Sequence, residues 1–517
     1  MRDVDRRTVL GGIGTATAVA VGGSLPGSAN PAEAAEPDNA TPRPPSRPPN
    51  IVLIMTDDLG WTDLGCYGSS FYETPALDRL AADGVRFTDA YAAAPVCSPT
   101  RASILTGKYP ASVGITQYIG GSAVGELCDV PYFSRLPWSE LTLARALRDG
   151  GYATWHVGKW HLGESASYPE NHGFEVNIGG TSNGLPPGGF FSPYGLETLP
   201  DGPEGEYLTD RLTDEAIALL QDADDRPFFL HLSHYAPHVP IEAPGELVRK
   251  YRAKAKREGL DTIDPFEDGE SFPHWPQREQ HVRRRTLRSD PEYAAMIESI
   301  DSNIGRLLLA LQRSGQSDNT IVLFSSDNGG LATAEGSPTC NAPLSHGKGW
   351  AYEGGIRVPL IVRWPAAIRP GSTIDEPVTS PDFYPTLLDA AGLPRSERQR
   401  LEGKSFLPAL RGKRFERGAV YWHYPHYSNQ GGTPMAAVRE DDWKLIEFFE
   451  DGRVELYDLA NDLSERRDLA SDPAHRRRTR QLRRRLREWQ QSVGALVPRP
   501  NPHPPFPDLP GDGEFGS

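Results

Sequence analysis

The 517-residue sequence predicts an α/β protein. It should hold a large, doubly wound, mostly parallel sheet, followed by a smaller antiparallel sheet with a helix packed on it. Three observations carry that expectation. Short, unbroken apolar runs recur through the first 413 residues, each the length of a strand buried on both faces. Segments with helical apolar spacing separate these runs. Past residue 414 the pattern changes to short strands at hairpin spacing. Hydrophobic residues make up 38% and charged residues 24%, which excludes a wholly membrane-embedded chain and a fully disordered one. A formal net charge of −15 argues against a nucleic-acid partner bound through the overall field. Four cysteines (Cys66, Cys97, Cys128 and Cys340) without CxxC spacing are too few for a disulfide scaffold. In an exported protein Cys128 could join Cys340, and buried thiols fit equally well.

At the N-terminus, Arg6-Arg7 precede Thr8-Val9-Leu10 and an uncharged Gly/Ala/Val stretch to Leu25, and Ala32-Glu33-Ala34 offers a small-residue cleavage site. Residues 1–34 read as a twin-arginine signal peptide rather than an anchor, because the stretch is short and Gly-rich for a span of about 20 residues. Residues 35–49 form a Pro-rich linker. The mature chain is therefore expected to be extracytoplasmic or secreted, without a stable membrane span. It would be delivered by the twin-arginine export machinery, which carries folded cargo. Residues 50–413 form the main domain. Asn50 through Met55 is a β-branched apolar strand that stops at Thr56-Asp57-Asp58-Leu59-Gly60. Helical spacing covers Pro75 to Gly84 and Leu141 to Leu147, the latter ended by Gly150-Gly151. Ala153 to Val157 is a strand ending at Gly158-Lys159, and Phe228 to Leu232 is another. Tyr293 to Leu311 is a long helix, followed by a strand from Thr320 to Phe324 that ends at Ser326-Asp327-Asn328-Gly329, and by a further strand at Leu360 to Val362.

Residues 414–497 form the C-terminal subdomain. Its strands are Ala419–His423, Met435–Arg439, Trp443–Ile446 and Val454–Tyr457, followed by a helix with Leu482, Leu486 and Trp489 on one face. The Arg476–Arg487 run reads as a solvated helix face, since the apolar positions occupy the other side. Residues 498–517 are a Pro-rich tail.

Two Asp-led pairs, Asp57-Asp58 and Asp327-Asn328, stand at the ends of predicted buried strands, where open α/β sheets bind ligands. Four converging side-chain oxygens suit a hard cation, Ca2+ or Mg2+, whereas Zn2+ would want His or Cys. Each pair alone would more simply cap the turn that follows it. In Cys97-Ser98-Pro99-Thr100-Arg101, Ser98 can cap a helix, Pro99 suits its first position and Gly107 can end it. Cys97 would then lie at a helix N-terminus, with Arg101 one turn along. A helix end, an arginine and a dication describe a pocket for a tetrahedral oxyanion.

Cys-x-Pro-Thr-Arg followed by Leu105-Thr106-Gly107 resembles the signature of the sulfatases, arylsulfatase-like and formylglycine-dependent, in the alkaline-phosphatase-like superfamily. Further blocks agree in order. They are Ile54 through Gly60, Gly158-Lys159-Trp160-His161-Leu162-Gly163, Ala236-Pro237-His238, Ser326 through Gly329, Lys348 through Pro359, and Leu456-Tyr457-Asp458-Leu459 with Glu465. The resemblance implies that Cys97 is oxidised to formylglycine by a formylglycine-generating enzyme before export. The hydrated aldehyde would then be the nucleophile, acting through a covalent sulfoenzyme. It assigns Asp57, Asp58, Asp327, Asn328 and the modified Cys97 to Ca2+, with Mg2+ the alternative. Lys159, His238 and Lys348 would bind sulfate, His238 would protonate the leaving alkoxide, and Arg101 and His161 would hold the gem-diol. Ser182, in Gly180-Thr181-Ser182-Asn183, would be a further sulfate contact.

The expected activity is hydrolysis of a sulfate ester substrate, aryl sulfate or sulfated carbohydrate. Two other readings stand beside it: a phosphonate monoester or phosphodiester hydrolase of the same superfamily, and a catalytically silent sulfated-glycan-binding relative. Specificity is expected from the loops Gly179–Pro200 and Glu242–Gln280, with His234 and His346 at the mouth of the pocket.

Overall fold

The computed structural model describes residues 47–502, which belong to one compact unit. The expected signal peptide, nearly all of the linker and most of the tail lie outside the described residues. The strand Asn50–Thr56 is the centre of an eight-stranded sheet. It pairs in parallel with Phe228–Ser233 on one side and Thr320–Ser326 on the other. Beyond Phe228–Ser233 come Ala153–Gly158 and Val176–Ile178, both parallel. Beyond Thr320–Ser326 come Leu360–Arg363, Val85–Phe87 and Ser372–Ile374.

Leu360–Arg363 is the exception to the parallel pattern, running antiparallel to both of its neighbours. Between Ser326 and Leu360 the chain forms only the four-residue helix Glu353–Ile356. Without a crossover helix it cannot return to the starting edge of the sheet, so it comes back in the opposite direction.

Burial of both faces explains the unbroken apolar runs. Val52 and Ile54 enter one core, while Ile51, Leu53 and Met55 enter the other. Helices Pro75–Ala82, Leu208–Gln221, Gly245–Arg257 and Pro291–Arg313 cover the first face. Helices Cys97–Thr106, Leu143–Asp149 and Phe383–Ala391 cover the second. Each fully buried Val, Leu or Ile side chain contributes about 1.5–3 kcal/mol.

The small sheet is an antiparallel meander of Val420–Tyr424, Met435–Glu440, Trp443–Phe448 and Val454–Asp458. One face packs Trp422, Ala437 and Ile446 on Tyr91, Val96 and Ile356 of the large domain. The other carries helix Arg476–Ser492 through Leu482 and Leu486. On that helix Arg483 and Arg487 pair with Glu447, and Arg485 pairs with Glu440. A buried ionic cluster joins the small sheet to the large one. Lys444 donates to Glu353 at 2.9 Å and to Glu465 at 2.7 Å. Arg357 reaches Glu353 and Asp89, and Arg439 reaches Asp89. Burial pushes Glu465 up to about 7 against the pull of Lys444. Burial works on Glu353 as well, but Lys444, Arg357 and Arg439 hold it well below the carboxylate range.

All four cysteines are free, so the Cys128–Cys340 pairing is not formed. Cys128 lies against the backbone of Arg499 and Pro500, whereas Cys340 is buried beside Thr62.

Lys444→Met leaves Glu353 and Glu465 as neighbouring buried carboxylates without their shared cation. Chemical denaturation should show a loss of about 3–5 kcal/mol, the range for breaking a buried pair from one side.

Candidate active site

The last rung between the two central strands pairs Thr56 with Ser326. The chain beyond each strand end therefore emerges side by side, bringing Asp57-Asp58 next to Asp327-Asn328. Asp58 turns back with a left-handed φ of 68°. Its N–H donates to Asp327 Oδ1 at 3.3 Å, and Asn328 Nδ2 donates to Asp58 Oδ1 at 2.8 Å. All four residues are at most 1% exposed, so their charges must be met from within the protein.

Three buried cations meet them. Lys159 follows the strand Ala153–Gly158, and its Nζ donates to Asp57 Oδ2. Gly158, at φ 100°, permits this approach, because a Cβ there would sit 2.0 Å from the Ser233 carbonyl. Arg101, on the helix Cys97–Thr106, donates through Nε to Asp327 Oδ2 at 2.8 Å. Its Nη1 donates to Ser233 Oγ at 2.6 Å and to the Lys159 carbonyl at 3.1 Å. Lys348, from the loop after Asn328, donates to Asp58 Oδ2 at 2.8 Å. Lys159 and Lys348 are thus carboxylate partners here; of the two, Lys348 also lines the cavity above the cluster, whereas Lys159, expected to bind sulfate, is wholly buried and does not.

Cys97 is the first residue of its helix and 3% exposed. The expected Ser98 cap is not formed. The N-cap is Val96, without a side-chain bond, and Pro99 is the third helical residue rather than the first. Ser98 Oγ instead donates to the His161 carbonyl at 3.0 Å and accepts from Ile119 N–H at 3.1 Å. This tertiary use locks two segments beside Cys97. Burial pushes the Cys97 thiol up, even with Lys159 and Lys348 opposing, so an unmodified thiol stays protonated.

The two histidines have defined tautomers. His161 Nε2–H donates to the Ile119 carbonyl at 3.0 Å, so Nδ1 carries its lone pair toward Cys97 Sγ, 3.4 Å away. His238 Nδ1–H donates to the Val239 carbonyl at 2.8 Å, and its Nε2 accepts from Lys348 Nζ at 3.0 Å. Burial holds both rings neutral. His238 is pushed down to about 3 with Lys348 adding to the effect, and His161 falls well below its usual value with help from Lys159.

The site has the chemistry of a metal centre. Ligand atoms of Asp57, Asp58 and His238 lie within 4.8 Å of one another. Asp57 Oδ1 and Asn328 Oδ1 are buried without any hydrogen-bond partner. Burial and the neighbouring Asp327 push Asp57 up to about 8, the mark of crowded carboxylates. Asp58 feels the same burial, but Lys348 and His238 hold it down at about 2. Unpartnered hard oxygens in a crowded acidic cluster fit Ca2+ or Mg2+.

Above these groups lies a cavity of about 280 Å3, at the small end for a ligand pocket. Cys97, His161, His238 and Lys348 form its floor, and Tyr118, Ile119, Leu185 and Val239 form its apolar walls. Glu335, Asn429 and Gln430 form its polar edge. A larger groove of about 740 Å3 lies between the helices Pro75–Ala82 and Pro291–Arg313, and no candidate site residue lines it.

Ser182 does not line the cavity but interacts with Tyr168, and its loop contributes Gly184 and Leu185 instead. His234 is wholly buried, and His346 stacks on Tyr352 and lies tilted against Trp350; neither lines the cavity, so neither stands at its mouth. No residue of Glu242–Gln280 lines this cavity. Motif reasoning missed Tyr118, Ile119, Glu335, Asn429 and Gln430. The one available signal was Ser428-Asn429-Gln430-Gly431-Gly432, a polar turn too long for a tight hairpin.

A hard-oxygen cluster, buried lysines and a helix-end cysteine beyond a mostly parallel sheet define a hydrolase of anionic esters. The chain belongs to the sulfatase family, whose model matches residues 49–393, and it is a sulfuric ester hydrolase with an alkaline-phosphatase-like fold. A second model, N-sulphoglucosamine sulphohydrolase, C-terminal, matches residues 345–492. A sulfatase of Formosa agariphila is 32% identical, over 87% of this chain and 90% of its own. Human arylsulfatase A is 32% identical, over 83% of this chain and 78% of its own. The crystal structure of Ps i-CgsB in complex with k-i-k-neocarrahexaose superposes with a TM-score of 0.68 at 29% identity, covering 86% of this chain and 93% of that one.

Ser98→Ala strands the Ile119 N–H and frees the His161 carbonyl. Denaturation should show a loss of about 1–3 kcal/mol. Sulfatase kcat/KM should fall as well, because both released segments face Cys97.

Proposed function

We propose that this protein hydrolyses sulfate monoesters, of aryl alcohols or carbohydrates, with formylglycine made from Cys97 as nucleophile and Ca2+ as the resident cation. The observation that carries this reading is charge balance. Asp57, Asp58 and Asp327 oppose Lys159, Lys348 and Arg101 one for one in a buried cluster. A dication held by Asp57, Asp58, Asp327 and Asn328 would leave the cluster with a net charge of about +2, suited to a sulfate ester. When bound, the cation polarises the sulfate and stabilises negative charge on the attacking oxygen.

Formylglycine at position 97 would supply a hydrated aldehyde, whose two hydroxyls are what attack on sulfur and release of sulfate each require. His161 Nδ1, facing residue 97 with its lone pair, is placed to take the proton of the second hydroxyl. Lys348 Nζ and His238 Nε2 share a proton across 3.0 Å, and that proton is placed for the leaving alkoxide. Arg101, bonded to Asp327 and Ser233, orients the acidic cluster rather than residue 97 itself.

The Arg6-Arg7 segment supports twin-arginine export, with Cys97 modified beforehand by a formylglycine-generating enzyme. No described helix is long and apolar enough to cross a membrane.

Mass spectrometry of the peptide containing residue 97 should find the aldehyde in place of the thiol. Cys97→Ala should abolish turnover while keeping the fold. Full activity in that variant, or in wild-type protein carrying only the thiol, would falsify the mechanism.

Metal analysis gives a second test. Asp327→Ala should lose activity and bound Ca2+ together. Lys348→Ala should lose about 100-fold or more in kcat, on the scale of removing an oxyanion-stabilising group, yet keep its metal. Normal metal content and turnover in Asp327→Ala would place the centre elsewhere.

A further inference from the structure

Ser326 ends its strand on the last rung of the central pair, opposite Thr56. Its Oγ accepts the Leu59 N–H at 3.0 Å and donates to the Asn328 carbonyl at 2.9 Å. A hydroxyl has one proton to give and lone pairs to receive, so both bonds form together. One oxygen atom thus joins the turn after Asp57-Asp58 to the turn that carries Asp327-Asn328. Ser326 and Leu59 are each 1% exposed and Asn328 is wholly buried, so bulk water cannot replace either bond.

The first turn is tied at four consecutive N–H groups, each to a different acceptor. Asp57 N–H donates to the Ala236 carbonyl at 3.2 Å and Asp58 N–H to Asp327 Oδ1 at 3.3 Å. Leu59 N–H goes to Ser326, and Gly60 N–H donates to Asp63 Oδ2 at 2.9 Å. Asp63 is itself fixed by the hydroxyls of Tyr293 and Thr339, both at 2.7 Å. Among these four acceptors, Ser326 is the one that also bonds the Asn328 backbone.

The ties hold backbone that would not rest there alone. Asp58 has a φ of 68°, a conformation that a residue with a Cβ keeps only where its surroundings impose it. Loss of that conformation would swing away the carboxylate that Lys348 and Asn328 Nδ2 contact. In the second turn, Asn328 Nδ2 donates to Asp58 Oδ1 and to the Gly329 carbonyl, which leaves Oδ1 as its unpartnered buried oxygen. The donor oxygens of both turns therefore depend on how the two turns are held together.

We propose that Ser326 is a positioning residue of the cation site. Its hydroxyl sets the Asp58 and Asn328 donors against each other before a cation arrives, and so strengthens cation binding. It does not line the cavity over Cys97, so it acts through the turns and not on the substrate. This assignment rests on the reading of Asp57, Asp58, Asp327 and Asn328 as ligands of Ca2+ or Mg2+, and adds to it a neutral residue that is not a ligand.

The test equilibrates purified holoenzyme in Ca2+-buffered and Mg2+-buffered solutions and measures bound metal against free cation. The cation that wild type holds more tightly is the probe. Ser326→Ala should raise the free cation needed for half-occupancy about tenfold, the lower end for losing a group that orients metal ligands. The free cation giving half-maximal sulfatase turnover should rise by the same factor. Ser326→Cys, with a weaker hydrogen-bonding group, should shift both in the same direction, and it carries the test if Ser326→Ala misfolds. Thermal melts separate positioning from packing. The gain in Tm on adding the cation should shrink in both variants, because a ligand stabilises according to its excess over Kd. Ser325→Ala is the control. The Ser325 hydroxyl donates to the Pro359 carbonyl at 2.9 Å, and its loss should lower Tm equally with and without the cation. Half-occupancy within twofold of wild type in both Ser326 variants overturns the assignment, as does an unchanged cation-dependent gain in Tm. Wild type that binds neither cation overturns the cation reading as well, so the two failures are distinguishable.

Discussion

The packing of three carboxylates against three cations, all removed from water, is the constraint on which the rest of the molecule depends. Asp57, Asp58 and Asp327 are at most 1% exposed. Any one of them, left unpaired, would cost several kcal/mol. Their partners arrive from three separate places: the end of a strand, the second turn of a helix and a long loop. Because no one element supplies both signs of charge, the site can only assemble when the sheet, the helix and the loop are all in place. The cluster therefore works as a consistency check on the fold and as the floor of the active site. The same demand accounts for the two neutral histidines, since a further buried positive charge there would have no carboxylate left to oppose it.

The central strands were legible because a strand buried on both faces leaves an unbroken apolar run, and because that run stops at the Asp-led pairs. The sequence blocks that the structure brings together around the acidic cluster were legible for a related reason, since each lies within a few residues of a strand end or a helix start. Features set by distant partners were not legible. Ser98 has the right chemistry and place for a cap, but His161 and Ile119 claim its hydroxyl. The direction of Leu360–Arg363 depends on what the preceding loop fails to form, which its own residues do not record. Ser182 stands in a plausible stretch, yet its loop presents Gly184 and Leu185 to the cavity. Glu335 and Asn429 lie 94 residues apart and meet only because a left-handed turn and an interstrand loop converge. No local pattern encodes such a meeting.

The small sheet does more than cover an apolar face. Its ionic cluster with Glu353 and Arg357 ties it to the segment that also carries Lys348. Its first interstrand loop supplies Asn429 and Gln430 to the cavity edge. The charged groups at the floor of the cavity thus come from the large sheet, and part of its polar edge comes from the small one. That separation lets the polar edge change without disturbing the buried charges below it.

The rung that pairs Thr56 with Ser326 has a consequence for how this chain can vary in length. Each residue of a strand advances about 3.3 Å, and each step also exchanges the two faces of the sheet. One residue gained or lost within either central strand would therefore carry a donor pair past its opposite number and turn its side chains toward the wrong layer. Insertions are excluded there but tolerated a few residues further on, where the chain has left the ladder. The two strands behave as gauge blocks of set length, and the loops beyond them are the places where the molecule can be lengthened or trimmed.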